Sequence, residues 1–322
     1  FGFHFPASRC QMSNTVRLLR SLNRLLRAPL DRLLTRLSIR YRAAQKGMRI
    51  CKGCACIEVV SGGRVLRLAQ AHQVYVPDLL MHFDYYHGAV VPVRSHGREL
   101  VDYSSPRYHD VPGFDDFPVL FPSLAEPVVT TTQYLDFAGL APGMTILDLG
   151  AYSGLTSILF ARAACPGGLV VAVDADPDNI ACMRRNIGRF TRVGRHRIEI
   201  LEAAVWKHAD GLEFSCEGNM GSSAVSIVGR ERGPTRRVPS ITLGGIVGRF
   251  VLARVDFVKC DIEGAEAVIF SDQTFFHRFR PRIIIEVHIV DGKLTTAACE
   301  RHLGALGYDC RLVAQHGVHL PL

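Results

Sequence analysis

The chain has 322 residues, of which 48% are hydrophobic, so it is long enough for two domains or for one large domain with an extension. Its net charge is +8, yet residues 13–50 alone hold ten Lys or Arg against one acid. The basic balance is therefore local and gives no argument for nucleic-acid binding by the rest of the chain. No apolar run approaches the ~20 residues that span a bilayer. The ten cysteines are too dilute for a disulfide scaffold, so we interpret them as reduced and expect a cytoplasmic location.

Residues 1–50 are interpreted as a basic, amphipathic helical extension. Leucines recur at three- and four-residue steps across residues 16–40, and Pro29 either kinks this helix or begins a second one. A basic helix with an apolar face suits peripheral contact with an anionic membrane surface or a partner. The segment also resembles an Arg-rich, acid-poor organelle transit peptide. It is equally suited to packing on this protein or on a second copy, so these interpretations stay open.

Residues 51–105 are predicted to form a small β-rich region. Ile57–Val60 and Val65–Leu68 flank Ser61-Gly-Gly63, which is a hairpin signal, and 90–94 and 99–103 flank His96-Gly97 in the same way. The motif Cys51-x-x-Cys54-x-Cys56 lacks a clear fourth ligand, so we do not expect a structural zinc ion.

Residues 106–127 hold five prolines and several aromatic and acidic residues. This density predicts that the segment has no regular element and serves as a linker or a lid.

Residues 128–322 are predicted to form an α/β domain. A helix precedes Pro142-Gly143, and apolar runs at 145–149, 169–173, 198–205, 255–261 and 282–288 indicate strands. Residues 294–306 have a helical pattern, and two final strands are expected near 308–313 and 316–320. The alternation of strands and helices predicts a seven-stranded, mostly parallel sheet.

The turn after the first of these strands predicts a nucleotide-sized ligand. Asp148 is followed by Gly150 and Gly154, and an amphipathic helix begins there. We expect the two glycines to let the backbone approach the ligand where a Cβ would collide. The pattern D-x-G-x-x-x-G differs from the G-x-G-x-x-G that holds a dinucleotide pyrophosphate. It favours S-adenosylmethionine, whose amino-acid end has no phosphate.

Asp174 ends the next strand, 24 residues after Gly150. An acidic side chain at this position can accept both hydroxyl hydrogens of a ribose, although a capping role would also explain it. Asp176 and Pro177 are typical of the start of a helix.

A second polar cluster is expected at the same edge of the sheet, because the carboxyl ends of parallel strands meet there. Asp261, Glu286 and His288 are the candidates for the base and for substrate orientation in a transfer to oxygen. Lys259 is expected mainly to neutralise Glu286, whereas Glu263 and Glu266 are explained equally well by the helix dipole. A divalent cation held by the three catalytic candidates is chemically conceivable but not expected, so no metal ligand is predicted.

Four motifs resemble the FkbM family of S-adenosylmethionine-dependent methyltransferases: D-L-G-A-Y-S-G (148–154), V-D-A-D-P-D-N (173–179), V-D-F-V-K-C-D-I-E-G-A-E (255–266) and I-I-I-E-V-H (283–288). The resemblance implies a class I, Rossmann-like α/β fold and O-methylation of a hydroxyl on a carbohydrate, glycan, lipid or small metabolite. Since the basic charge is confined to the N-terminal segment, no nucleic-acid partner is expected. Asp174 replaces the glutamate common at that position. The cofactor residues predicted on this basis are Asp148, Gly150, Ala151, Gly154, Asp174, Ala175 and Ala204. The acceptor would be lined by Asp261, Glu263, Glu266, Glu286 and His288, with Lys259 beside them.

Three alternatives accompany this prediction. An NAD-dependent oxidoreductase is disfavoured by the glycine spacing. A non-catalytic binding or scaffold protein has no need for carboxylates at the cleft. Transfer to nitrogen needs no strong base and remains the alternative inside the family.

Overall fold

The computed structural model describes residues 37–192, 194, 196–228 and 234–315. Residues 16–36 of the basic helix predicted at 16–40, and the final predicted strand at 316–320, therefore lie outside the described residues. In the described part of the chain, no helix is long and apolar enough to cross a membrane.

Residues 37–127, which we call the N-terminal unit, begin with a helix over residues 37–45 (α1) and a mixed five-stranded sheet in the order β1-β2-β3-β5-β4. Its elements are β1 (Met48–Lys52), β2 (Cys56–Ser61), β3 (Arg64–Ala69), a 3-10 helix (Gln70–Tyr75), α2 (Val76–Met81), α3 (Phe83–Gly88), β4 (Val93–Ser95) and β5 (Arg98–Tyr103). The predicted hairpins are confirmed, since β2 pairs with β3 and β4 with β5, both antiparallel.

The prediction that residues 106–127 have no regular element is wrong. They form an antiparallel hairpin of β6 (Arg107–Val111) and β7 (Phe114–Phe121). Pro112 lies in the turn, and Pro118 lies in a two-stranded sheet, where a missing N–H is tolerated because both strands are edges. The hairpin is fixed to the rest of the chain by Asn186, whose amide donates to the Leu120 carbonyl and accepts from the Leu120 N–H.

The remaining elements follow in chain order as α4 (Val128–Ala138), β8 (Thr145–Leu149), α5 (Leu155–Ala163), β9 (Leu169–Asp174), α6 (Pro177–Phe190), β10 (Arg197–Glu202), β11 (Ala204–Val205), β12 (Leu212–Ser215), β13 (Ser223–Ala224), α7 (Val225–Val228), β14 (Thr235–Val238), β15 (Ser240–Ile241), α8 (Leu243–Phe250), β16 (Phe257–Cys260), α9 (Glu266–Ile269), α10 (Gln273–Phe279), β17 (Arg282–Ile285), β18 (Ile289–Val290), β19 (Lys293–Leu294) and α11 (Thr296–Gly304).

The central sheet has the order β10-β9-β8-β16-β17, and all its strands are parallel. The described part of the chain thus gives five strands where the sequence predicts seven. Residues 308–313, predicted to be a strand, contain none.

Two hydrophobic cores cover the two faces of this sheet, because successive strand residues point to opposite faces. One face, including Ile146, packs against Phe160 of α5 and against Leu68, Phe83 and Tyr103 of the N-terminal unit. The other face packs against α8, α10 and α11. The N-terminal unit therefore shares a core with the parallel sheet, and this contact places it beside the strand ends where a ligand would bind.

Candidate functional site

A cleft of about 440 Å³ opens at the carboxyl ends of the parallel strands. This is the edge at which ligands bind in open α/β sheets. Several predicted residues line it together, namely Gly150, Ala151, Asp174, Ala175, Ala204, Lys259, Asp261, Glu263, Glu286 and His288. Asp148, Gly154 and Glu266 do not line the cleft, but each of them contacts a residue that does.

Protein neighbours already require the two glycines of the turn, and their predicted role in ligand approach stays a prediction. Gly150 has φ +76°, and a Cβ there would lie 1.7 Å from the carbonyl oxygen of Asp261. Gly154 has φ +81°, and a Cβ there would lie 2.8 Å from Met183 Cγ on α6. Because β8 and β16 are neighbouring parallel strands, their carboxyl ends lie side by side, and the two predicted motifs that follow them meet in one cleft.

Asp174 lies where a ribose hydroxyl could be accepted, and its carboxylate is held by the backbone. It accepts the N–H of Tyr152 at 2.9 Å and the N–H of Asp176 at 2.9 Å. Burial raises the pKa of Asp174 to about 7, although these two backbone donors lower it in part. With this pKa, the Asp174 carboxyl group changes charge near neutral pH, and it does so in the lining of the cleft.

Asp148 is fully buried, with 0% of its surface exposed, so it contacts protein rather than the cleft. Its Oδ2 accepts the Ser157 hydroxyl at 2.5 Å, and its Oδ1 lies 3.7 Å from Lys259 Nζ. Lys259 also donates to the Gly150 carbonyl at 2.7 Å and to Asp261 at 3.1 Å. Burial lowers the pKa of Lys259, but Asp261 and Asp148 outweigh it and raise the pKa above its ordinary value. The lysine is a charged link between β8 and β16.

The residues after β16 form a tight turn before α9. Glu263 has φ +52°, so it precedes the helix and is not in its first turn as predicted. Glu266, which is the first residue of α9 and is 0% exposed, accepts from His288 Nδ1 at 2.8 Å. The helix-dipole explanation therefore applies to Glu266 alone.

His288 lies among three carboxylates. Its Nε2 lies 3.5 Å from Glu263 Oε1 and 3.7 Å from Asp261 Oδ1, while Nδ1 contacts Glu266. Burial lowers the pKa of His288, but Glu263 and Glu266 outweigh it and raise the pKa well above its ordinary value. The raised pKa favours the protonated imidazolium form of His288, which has no lone pair with which to act as a base.

Glu286 follows the end of β17 and is not within the strand as predicted. It accepts the Tyr134 hydroxyl at 3.2 Å. Burial, together with Asp261 and Glu126, raises the pKa of Glu286 well above its ordinary value. This carboxyl group therefore holds a proton more readily than an exposed glutamate.

Glu126 is a site residue that the sequence analysis missed. It lines the cleft from the end of the N-terminal unit. Burial and the neighbouring Asp261 raise the pKa of Glu126 to about 7. Its only sequence signal is an acid before Pro127 and a helix, which is typical of a linker. Tyr75, Asp78 and Tyr86 also line the cleft and were not predicted.

Carboxyl groups outnumber basic side chains in the lining of the cleft. Six carboxyl groups line it (Asp78, Glu126, Asp174, Asp261, Glu263 and Glu286), against the two basic side chains Lys259 and His288. Such a lining favours a neutral or cationic ligand and disfavours an anionic one.

Asp261, Glu263 and His288 each place one candidate metal-binding atom within 4.8 Å of the others. A cation bound there would need His288 to lose its proton, because only neutral imidazole coordinates a metal. The expectation that no metal is needed stays a prediction.

The parallel sheet β10-β9-β8-β16-β17, with a glycine turn after its central strand β8, is a Rossmann-like α/β arrangement, which class I methyltransferases share. The methyltransferase FkbM domain matches residues 148–309, which is half of the chain. The chain therefore belongs to the FkbM methyltransferase family, which confirms the predicted resemblance.

Comparison with known proteins gives weaker likenesses. Arsenite methyltransferase of Halobacterium salinarum is 42% identical over 53 residues, which is 16% of this chain and 14% of that protein. The chain thus spans a small part of that relative's length.

Solved structures also match the chain at low identity. Methyltransferase FkbM from Methylobacillus flagellatus KT is 12% identical with a TM-score of 0.41, and the match covers 59% of this chain and 48% of that one. Aeropyrum pernix fibrillarin, in complex with natively bound S-adenosyl-L-methionine, is 12% identical with a TM-score of 0.40, over 85% and 95% of the two chains. The assignment to the family depends on the domain match and not on these structures.

Proposed function

We propose that this protein transfers a methyl group from S-adenosylmethionine to a hydroxyl of an uncharged or cationic acceptor, such as a carbohydrate, glycan, lipid or small metabolite. The observation that carries the proposal is that one cleft joins the glycine turn and Asp174 to the carboxyl cluster around Asp261. The first set suits the methyl donor, and the second suits an acceptor that must lose a proton.

The residues at the donor end fit S-adenosylmethionine. Asp174 would accept the ribose hydroxyls, and the chain at Gly150-Ala151 and Ala204 would line the cofactor. When bound, the sulfonium supplies a positively charged, activated methyl group, which the acidic lining attracts. Asp148 and Gly154 would not contact the cofactor, but they would fix the conformation of the turn that does.

At the acceptor end, we assign Asp261 to orient the hydroxyl and Glu126 to take its proton. A general base works best when its pKa is near the working pH, and Glu126 meets this condition with a pKa of about 7. Glu286 would keep its own proton and donate a hydrogen bond. His288, held as a cation by Glu266, would fix Asp261 and Glu263 in place.

Transfer to nitrogen is the alternative, and the negative lining gives it some support because a cationic amine would also be attracted. Such an acceptor would still have to lose its proton before attack. Mass spectrometry of the labelled product distinguishes the two outcomes by the atom that carries the methyl group.

Calorimetric titration with S-adenosylmethionine and with NAD tests the donor. We expect saturable binding of the first and none of the second. Tight NAD binding without an S-adenosylmethionine signal would contradict the proposal.

Asp261→Asn tests the chemistry. We expect it to bind S-adenosylmethionine as the wild type does and to lose labelled-methyl transfer in a screen over glycans and lipids. Near wild-type turnover in this variant would remove Asp261 from the mechanism. Glu126→Gln should lower the rate by about 10²–10⁴-fold, which is the usual contribution of a general base.

A further inference from the structure

The 216–222 loop, between β12 and β13, covers the cofactor end of the cleft. Met220, Gly221 and Ser222 line the cleft, and the loop lies near Asp174 because the Asn179 amide is within hydrogen-bond distance of both the Asn219 carbonyl and the Asp174 carboxylate. Asp174 ends β9 and Ala204 follows β10, so this is the end where the adenosine part of the cofactor would lie. The position of the loop therefore bears on how the nucleoside is held.

One side of the loop is fixed to α6. The buried carboxylate of Asp176 accepts the Gly218 N–H at 2.9 Å and the Ser222 hydroxyl at 2.6 Å. Asn179 donates to the Asn219 carbonyl at 3.3 Å. Asp176 is also the cap of α6, so the helix and the loop are positioned by the same side chain.

The other side is fixed to the N-terminal unit. The Tyr75 hydroxyl donates to the Glu217 carboxylate at 2.7 Å, and His72 Nε2 lies 2.7 Å from the Glu217 carbonyl oxygen. A carbonyl oxygen only accepts, so Nε2 of His72 carries the hydrogen. Gly221 packs against the same hydroxyl, since a Cβ there would lie 2.3 Å from Tyr75 Oη.

Both contacts come from residues 70–75, which lie outside the matched family domain at residues 148–309. We infer that Tyr75 is a positioning residue for the cofactor, acting through Glu217 to hold the 216–222 loop over the adenosine end of the cleft. The inference depends on the proposed function, because it takes the ligand of this end to be S-adenosylmethionine. It gives the N-terminal unit a part in cofactor binding.

Trp206 provides the measurement. It is the single tryptophan of the chain and lines the same end of the cleft, so its fluorescence reports ligand binding there. Titration with S-adenosylmethionine or S-adenosylhomocysteine gives the dissociation constant without knowledge of the acceptor.

Tyr75→Phe removes only the hydroxyl. We expect the dissociation constant for both ligands to rise about tenfold, which is the cost of losing a hydrogen bond to a charged group. Tyr308→Phe is the matched control, because the Tyr308 hydroxyl has no hydrogen-bond partner among the described residues and lies in a separate groove beside α11. The control should bind as the wild type does.

Gly221→Ala separates a positioning role from a general loss of stability. Alone, its methyl group displaces the loop from Tyr75 and should also weaken binding about tenfold. In the double variant with Tyr75→Phe, the nearest ring atom of residue 75 lies 3.2 Å from the Cβ that Gly221→Ala adds. Gly221→Ala should therefore weaken binding little beyond the effect of Tyr75→Phe. We expect the losses of affinity in the two single variants not to add in the double variant, and all three variants to keep the wild-type melting temperature.

Wild-type affinity in Tyr75→Phe overturns the inference and leaves the proposed function standing. Strictly additive losses in the double variant also overturn it, since they would show that the two groups do not act through one contact. A wild-type protein that binds neither ligand overturns the proposed function and the inference together.

Discussion

Among the described glycines, Gly150 is the one at which an added Cβ would lie closest to another atom. Its positive φ disfavours any L side chain, and a Cβ would overlap the Asp261 carbonyl oxygen at 1.7 Å. That carbonyl belongs to the backbone and cannot turn away as a side chain could. We therefore expect Gly150→Ala to lower the free energy of unfolding by about 3 kcal/mol, because backbone strain and overpacking add. Urea denaturation measures the change.

Gly248 offers a matched control on α8. It has an ordinary helical φ, and outside its own helix backbone no heavy atom of the described residues would lie within 4 Å of a Cβ there. Gly248→Ala should leave stability unchanged or raise it by about 0.5–1 kcal/mol. Equal stabilities for the two variants would show that the approach of Asp261 does not constrain the turn.

Asp174 predicts how cofactor affinity depends on pH. The ribose hydroxyls donate best to a charged carboxylate, and burial raises the pKa of Asp174 to about 7. Between pH 8 and pH 6 the charged fraction falls about tenfold, so the apparent dissociation constant for S-adenosylmethionine should rise about tenfold. Titrations across this range, followed by Trp206 fluorescence, measure it.

The raised pKa of Asp174 has the opposite pH effect on the stability of the unliganded protein. Because the pKa of Asp174 is raised on folding, the folded state holds its proton more tightly, so its contribution to stability falls as pH rises from about 4 to about 7. Asp174→Asn should bind weakly and without this pH dependence. A wild-type affinity that is flat between pH 6 and pH 8 would argue against contact between Asp174 and the ribose.

Among the elements, those fixed by local chemistry were predicted correctly. The β2–β3 hairpin follows from Gly62-Gly63, and α6 begins at the predicted cap, Asp176. The β6–β7 hairpin was missed because Pro112 and Pro118 suggest irregular chain, although neither position needs an N–H. Glu126 was missed because its role arises from tertiary packing, which places the residue before Pro127 beside strand ends more than a hundred positions away.

The pairing of β8 with β16 predicts a large electrostatic effect. Lys259 and Asp148 are direct cross-strand partners, and Asp148 is 0% exposed. Lys259→Met would leave that carboxylate buried without its cation. Removing one partner of a buried pair costs about 3–5 kcal/mol of unfolding free energy. Denaturant titration of the variant checks this value.

A double variant and a surface control complete the test. Lys259→Met with Asp148→Asn removes both charges and should recover part of the loss. Lys293 is exposed on β19, and Lys293→Met should change stability by less than about 0.5 kcal/mol. A loss for Lys259→Met as small as for the control would mean that the cross-strand pair contributes little.

Over the whole molecule, the N-terminal unit and the parallel sheet share one hydrophobic core. The predicted boundary between residues 127 and 128 cuts through it, since Phe121 and Tyr103 pack in the same cluster as Phe160 and Ile146. Periodicity in a sequence identifies apolar faces but not which faces meet. The division into a β-rich region and a methyltransferase domain therefore stays a prediction. It does not imply that either part folds independently.

The shared core predicts that the chain unfolds as one unit. Calorimetry of the full chain should give a single transition, because neither part can lose its structure without exposing the apolar face of the other. A fragment of residues 128–322 should be much less stable than the full chain and should bind S-adenosylmethionine more weakly, since it also lacks Tyr75. Two separate transitions in the full chain, or a fragment with full stability, would show that the methyltransferase domain folds independently of the N-terminal unit.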